Sequence, residues 1–267
     1  MSLSTLADYH MHTPLCKHCT GAPWEYVQSA IDRGLAEIGF SDHCPMPDWY
    51  DPDFRMSLAE MPTYRRIVDD ARKRYPDFPV RFGLEADFHP GTERFVEELI
   101  RGNDFDYVIG SVHYIHDWGF DNPDLISRFH DRPISEIWAQ YFHLWEQAAR
   151  SGLFDIMAHP DLVKKFGHRP EGDLAEYYRP GLEACMRYGV AIEVSTAGLR
   201  KPVGEIYPSA EFLRLAHQYG VPIVISSDAH HPGEVGQDFE KAVDWARQAG
   251  YTQTCRFEKR LRRMVDL

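Results

Sequence analysis

Short apolar runs alternate along the chain with longer stretches whose apolar residues recur at helical spacing, and glycines and prolines punctuate the joins. A strand turns successive side chains to opposite faces, whereas a helix repeats about every 3.6 residues. The alternation therefore reads as repeated βα units. Strands are predicted over residues 7–12, 37–41, 80–86, 107–111, 155–158, 190–194 and 223–226. Helices are predicted near residues 24–33, 59–75, 93–100, 135–150, 173–188, 209–219 and 234–248, with a turn-rich stretch at 45–52 and a long loop after the fourth strand. Residues 251–257 carry Thr, Gln and Arg among apolar positions, which suits a weak eighth strand, an edge or a loop. Seven clear units in 267 residues predict an α/β fold, a TIM-like barrel of one domain over residues 1–267, imperfect in having seven strands.

Composition narrows the class. Hydrophobic residues make up 43% and charged residues 26%, which supplies an ordinary core. No apolar run approaches the roughly 20 residues a bilayer requires, and no basic-then-apolar leader opens the chain, so a cytoplasmic location is expected. A formal net charge of −12 disfavours a general nucleic-acid binder. It still allows an anionic small molecule, because bound cations dominate local potential. Five cysteines without a secretory cue argue against a disulfide framework. Cys16-x-x-Cys19, with His18 between and Cys44 later, has half the form of a zinc knuckle, but no second pair completes it.

The unusual count is histidine, at 14. Asp8, His10 and His12 alternate along the first predicted strand, so all three are expected on one face, with the carboxylate behind two imidazoles. Each later strand also ends in metal-type residues: Asp42 and His43, Glu85 and Asp87, His113, His159 and Asp161, Glu193, then Asp228, His230 and His231. His18 sits in the loop after the first strand. In a parallel barrel all these ends meet on one face, where active sites of such barrels lie. His89, His116, His130, His143, His168 and His217 fall elsewhere and read as solvated or capping residues. Seven histidines and two acids exceed the three protein ligands one catalytic zinc needs, so two or three ions are expected, with Glu85 bridging. Nitrogen and oxygen donors suit zinc, manganese or iron.

The order of motifs resembles a known family. Asp8-x-His10-x-His12, Ser41-Asp42-His43, Gly83-x-Glu85, Gly110-Ser111-x-His113, Ala158-His159-Pro160 and Ser227-Asp228-x-His230 resemble the series of the PHP (polymerase and histidinol phosphatase) superfamily. More narrowly, His12-Thr13-Pro14-Leu15-Cys16, Glu85-Ala86-Asp87-Phe88, Val108 to His113 and Thr196-Ala197-Gly198-Leu199-Arg200 resemble its histidinol-phosphate phosphatases of histidine biosynthesis. The resemblance implies a distorted (β/α)7 barrel with a trinuclear centre of divalent ions. Carried over residue by residue, one ion takes His10, His12, Glu85 and Asp228, and a second shares Glu85 with His113 and His159. The third takes His18, His43 and His230, His18 being the loosest match because members often carry an acid there.

The activity implied is hydrolysis of L-histidinol phosphate to L-histidinol and inorganic phosphate by a metal-bridging hydroxide, with Glu85, Asp228, His230 and Arg200 as catalytic residues. A guanidinium matches phosphate geometry bidentately, so Arg200 is the expected phosphate clamp, helped by Lys164 and Lys165. Asp161 or Glu193 would pair with the substrate amine. Tyr114 and Phe88, with Trp49, Tyr50, Trp118 and Tyr207, offer aromatic faces to an imidazole or ammonium. The expected partner is thus a small phosphomonoester, with no nucleic acid, no membrane and the oligomeric state left open. Three rivals remain. A phosphoesterase of the same superfamily could act on another phosphomonoester, or on nucleic acid, although no basic stripe favours that. An amidohydrolase also opens with HxH, but commonly bridges its metals with a lysine where Glu85 stands here. A non-catalytic metal-binding barrel would be the third.

Overall fold

The computed structural model describes residues 3–47 and 49–267. The first half of the chain runs β1 (Ala7–Asp8), α1 (Pro23–Asp32), β2 (Glu37–Phe40), α2 (Met61–Arg74), β3 (Val80–Asp87), α3 (Glu93–Arg101), β4 (Tyr107–Ser111), β5 (Tyr114–Ile115), β6 (Trp118–Gly119) and α4 (Ile134–Arg150). The second half runs β7 (Ile156–Met157), α5 (Ala175–Tyr188), β8 (Ala191–Ser195), α6 (Ala210–Gln218), β9 (Ile223–Ser226), α7 (Phe239–Gln248), β10 (Gln253–Glu258) and β11 (Leu261–Asp266). Seven strands form one parallel sheet in the order β1-β2-β3-β4-β7-β8-β9. Its ends meet where Met11 bridges Ala229, with the His12 amide donating to Ala229 O and the Ala229 amide to His10 O, both at 3.0 Å. The result is a nearly closed barrel with helices around it. No helix among the described residues is long and apolar enough to cross a membrane.

Strands buried on both faces need apolar residues on both, and the chain provides two cores. Phe40, Phe82, Leu84 and Ile192 pack outward under the helices. Ala7, Tyr9, Tyr107, Ile109, Ile156, Ala191 and Val224 fill the barrel. Tyr107, with Tyr9 the largest of these fillers, lies across two glycines. A Cβ on Gly39 would stand 2.3 Å from its hydroxyl oxygen, and one on Gly83 would stand 2.3 Å from its Cζ. The Tyr107 hydroxyl donates to Tyr9 O at 2.6 Å, which fixes the ring.

One expectation needs correction, and one alternative left open falls away. The strand expected over residues 7–12 stops at Asp8, because the facing of the side chains changes there. Ala7 and Tyr9 point into the barrel, whereas Met11, of the same parity, packs with the outer core. Asp8 therefore does not share a face with His10 and His12. It is fully buried and accepts from the Ser227 amide at 3.0 Å and the Gly236 amide at 2.9 Å, tying β1 to the segment after β9. Burial, opposed by those donors, leaves its carboxyl pushed up to about 6. Residues 251–257 add no eighth barrel strand. They lead into an antiparallel hairpin, β10 with β11, turned by Lys259 and Arg260 at φ 50° and 63°. Two left-handed residues suit a tight hairpin loop. The hairpin closes the N-terminal end of the barrel: Cys255 and Phe257 join the inner core, and Arg260 reaches Asp155 at 2.8 Å.

Candidate metal centre

At the C-terminal ends of the strands, the pleat that sends Gly83 inward also sends Glu85 and Asp87 inward. Glu85 becomes the hub. Its Oε1 lies 3.3 Å from His159 Nε2 and 3.7 Å from His113 Nε2. Its Oε2 lies 2.8 Å from His43 Nδ1, 3.3 Å from His10 Nε2 and 3.7 Å from His12 Nε2. Asp228 stands on the other side of the first pair, 3.3 Å from His12 Nε2 and 3.7 Å from His10 Nε2. His230 stacks on His12 with centroids 4.1 Å apart, and His18 lies 4.6 Å from His230 and 5.5 Å from His43 on the exposed side. All nine residues expected as ligands thus converge on one region.

Backbone and neighbouring groups aim these rings. His159 and Asp228 sit at φ 22° and 50°, in the left-handed region that side chains with a Cβ disfavour. Such strain costs on the order of 1–3 kcal/mol and persists at sites where the surroundings overdetermine it. Glu193, fully buried, holds His10 Nδ1 at 2.7 Å through one oxygen and the His159 amide at 2.7 Å through the other. Asp87 holds His113 Nδ1 at 2.6 Å and takes Arg55 Nη2 at 2.6 Å. Occupying Nδ1 in this way leaves Nε2 for a cation.

The donor set fits divalent metal. Buried polar atoms are ordinarily satisfied, yet His10 Nε2, both ring nitrogens of His12, Glu85 Oε2 and His230 Nε2 have no hydrogen-bond partner. Burial alone would raise the Glu85 carboxyl, but His43 and His10 hold it well below the usual range. Burial is likewise overcome at Asp228 by His10 and His12. Burial would depress His10, yet Glu193, Glu85 and Asp228 raise it well above an ordinary histidine. That negative field draws in a positive charge, whether protons or a cation. Burial and the neighbouring His12 push His230 well below an ordinary histidine, which leaves it neutral, the state of a ligand and not of a proton donor. Replacing Glu193 with Ala should lower metal affinity roughly 10–100-fold while the barrel stays folded, as competition with a metallochromic chelator would measure.

A cavity of about 550 Å³ opens above this cluster, and Lys165 and Tyr114 line it as expected. Lys165 Nζ donates to Asp121 O at 2.6 Å and pairs with its carboxylate at 3.1 Å. Asp161 and Phe88 do not line it. Asp161 is fully buried, paired with Lys164 at 3.1 Å and accepting from the Ser209 amide at 2.8 Å, while Phe88 packs in the outer core. Glu193 is spent on His10 and His159, so neither acid is free for an amine. Arg200 lies behind the wall: its Nη2 donates to Ser227 O at 2.7 Å and Asp228 O at 3.2 Å, its Nε faces Glu234 at 3.2 Å, and its buried Nη1 has no partner. Trp118 is buried against Phe129, and of the expected aromatics Tyr114 and Tyr207 line the cavity, joined by Phe54. Residues not foreseen include Asp51, Phe54, Arg55, Asp121, Asp124 and Lys201, which line the cavity from loops where no periodic pattern marks a position.

Comparison with known proteins agrees with this geometry. The model of the PHP domain family matches residues 8–197, and that of the PHP-associated family matches residues 211–239. A probable histidinol-phosphatase of Deinococcus radiodurans is 47% identical over 249 residues, 93% of this chain and 95% of its own. The histidinol-phosphatase of Bacillus subtilis is 28% identical over 89% of this chain and 98% of its own. A crystal structure of histidinol phosphate phosphatase from Lactococcus lactis, complexed with zinc, L-histidinol and phosphate, shares the fold with a TM-score of 0.84 at 22% identity, covering 98% of this chain and 100% of that one. The chain therefore belongs to the PHP domain family, and within it stands with the histidinol-phosphatases.

Proposed function

We propose that this chain is a metal-dependent phosphomonoesterase that converts L-histidinol phosphate to L-histidinol and inorganic phosphate. The observation that carries the reading is Glu85, whose two oxygens face two separate sets of imidazoles. His10, His12, Glu85 and Asp228 would hold one ion, Glu85, His113 and His159 a second, and His18, His43 and His230 a third. Bound there, zinc, iron or manganese would supply Lewis acidity and an activated water at neutral pH. The relatives' names and the zinc, L-histidinol and phosphate of the Lactococcus lactis structure support the substrate and one metal identity.

The chain's own residues supply position and charge. Glu85 and Asp228 stay ionised, and Glu193 and Asp87 hold His10 and His113 in register. Lys165 and Lys201 bring positive charge to the wall for a phosphate. Asp124, with Tyr114 and with Asp51 and Asp121, which also pair with Arg55 and Lys165, gives the cavity an acidic and aromatic rim that suits an ammonium and an imidazole. That rim, with the net charge of −12, favours a small cationic phosphomonoester over nucleic acid. A cytoplasmic location fits the five free cysteines.

Phosphate release from L-histidinol phosphate, measured beside elemental analysis of the same sample, tests the reading. Release that stops on chelation and returns with metal is expected. Activity confined to another phosphomonoester would overturn the substrate alone, and metal-loaded protein without any phosphatase activity would overturn the enzyme. Arg200 should act through the loop it braces as well as through its spare Nη1. Arg200→Ala is expected to lower kcat/KM about 100-fold, of the order of an oriented charged group, and to reduce metal content as well. Arg200→Lys should recover little, because an ammonium lacks the fork that reaches the two carbonyls through Nη2 and Glu234 through Nε. Unchanged kinetics and metal in both variants would remove Arg200 from the machinery.

A further inference from the structure

The Cys16-x-x-Cys19 motif falls at the same end of the cluster as His18 and His230. Thr13 caps a short 3-10 turn, Pro14–Cys16, its side chain accepting from the Leu15 amide, with Pro14 at the first position and the Cys16 amide donating to Thr13 O at 3.0 Å. The turn buries Cys16 completely, and the Cys16 carbonyl takes His18 Nδ1 at 2.7 Å, which leaves Nε2 of that ring for other partners. Donor atoms of Cys16, His18 and His230 lie within 4.8 Å of one another, as do those of His12, Cys16 and Asp42. His12, wholly buried with both ring nitrogens unpartnered, and His230 Nε2, also unpartnered, belong to these two groups.

We propose that Cys16 supplies a sulfur donor to the divalent cation held by His18 and His230, and that this soft donor makes that end of the cluster select zinc or iron(II) over manganese or magnesium. Thiolates favour such metals, whereas carboxylates and water favour the hard ones. On coordination a thiol is deprotonated outright, so one proton passes to solvent as the Zn–S bond forms. Cys19, partly exposed and within hydrogen-bonding reach of Cys16, stays a neighbour of the sulfur and not a ligand. The proposal rests on the metal-binding reading of the histidine cluster and not on the identity of the substrate.

X-ray absorption at the zinc edge of the fully loaded wild-type protein tests it without any variant. A sulfur shell at about 2.3 Å beside the nitrogen and oxygen shell is expected. Cobalt(II)-loaded protein should show a near-ultraviolet sulfur-to-cobalt charge-transfer band, lost in Cys16→Ser and kept in Cys19→Ser. Zinc should also outcompete manganese at that site by a smaller factor in Cys16→Ser. A loaded wild type with only nitrogen and oxygen neighbours would overturn the proposal, as would a band that follows Cys19. Protein that takes up no zinc would overturn this and the metal reading together, whereas a sulfur shell without turnover of L-histidinol phosphate would leave the sulfur donor standing and remove only the substrate.

Discussion

Glu85→Gln should strip most of the bound metal from the barrel and lower phosphate release by roughly a thousandfold or more, about 4 kcal/mol of transition-state stabilisation. Gln keeps the shape of Glu, so packing is preserved and the loss falls on charge. One oxygen of Glu85 faces His113 and His159, the other His10, His12 and His43. An amide carries no negative charge, accepts at only one of the two positions, and turns N–H groups toward imidazole nitrogens at the other. Elemental analysis and steady-state kinetics on the same preparation, with circular dichroism to confirm folding, measure both losses. A variant with wild-type metal and turnover would end the hub role of Glu85.

Gly83→Ala should lower stability by about 3 kcal/mol, at the upper end of ordinary overpacking. The new Cβ would stand 2.3 Å from Tyr107 Cζ. The ring has little room to retreat, because its hydroxyl bonds Tyr9 O at 2.6 Å and the tilted Tyr9 ring lies against it at 4.7 Å. For a chain of this size the change corresponds to a fall in Tm of roughly 10 °C. Thermal unfolding of Gly83→Ala, Tyr107→Leu and the double variant would check it. A favourable coupling, with the double variant losing less than the sum of the singles, is expected. Wild-type melting in Gly83→Ala would place the ring elsewhere.

The barrel was legible because its strands are apolar on both faces and end in glycines, turns and metal-type residues. His43, Glu85, His113 and Asp228 could be read from that rule alone, since a parallel barrel forces strand ends together. Loop residues obey no such rule, which is why Asp51, Arg55 and Asp121 went unseen. Asp161 misled because a carboxylate after a strand looks the same whether it faces the cavity or is neutralised by a lysine three residues on. Asp8 misled because period-two alternation assumes a continuous strand, and the change of facing between Tyr9 and Met11 breaks it. Residues 251–257 left strand, edge and loop open, and they pair as a strand outside the barrel, a distinction set by Lys259 and Arg260.

The seam between Met11 and Ala229 bears on how the protein assembles. His10 and His12 lie more than two hundred positions from Asp228 and His230, yet the two pairs meet at one end of the cluster. The centre therefore cannot mature during synthesis until the last barrel strand has emerged and docked. Such pairing has high contact order, which slows folding. A cation that binds only the docked ring acts as a clasp on its slowest contact, stabilising it by mass action. Metal starvation should then shorten the lifetime of the folded ring as well as silence its chemistry.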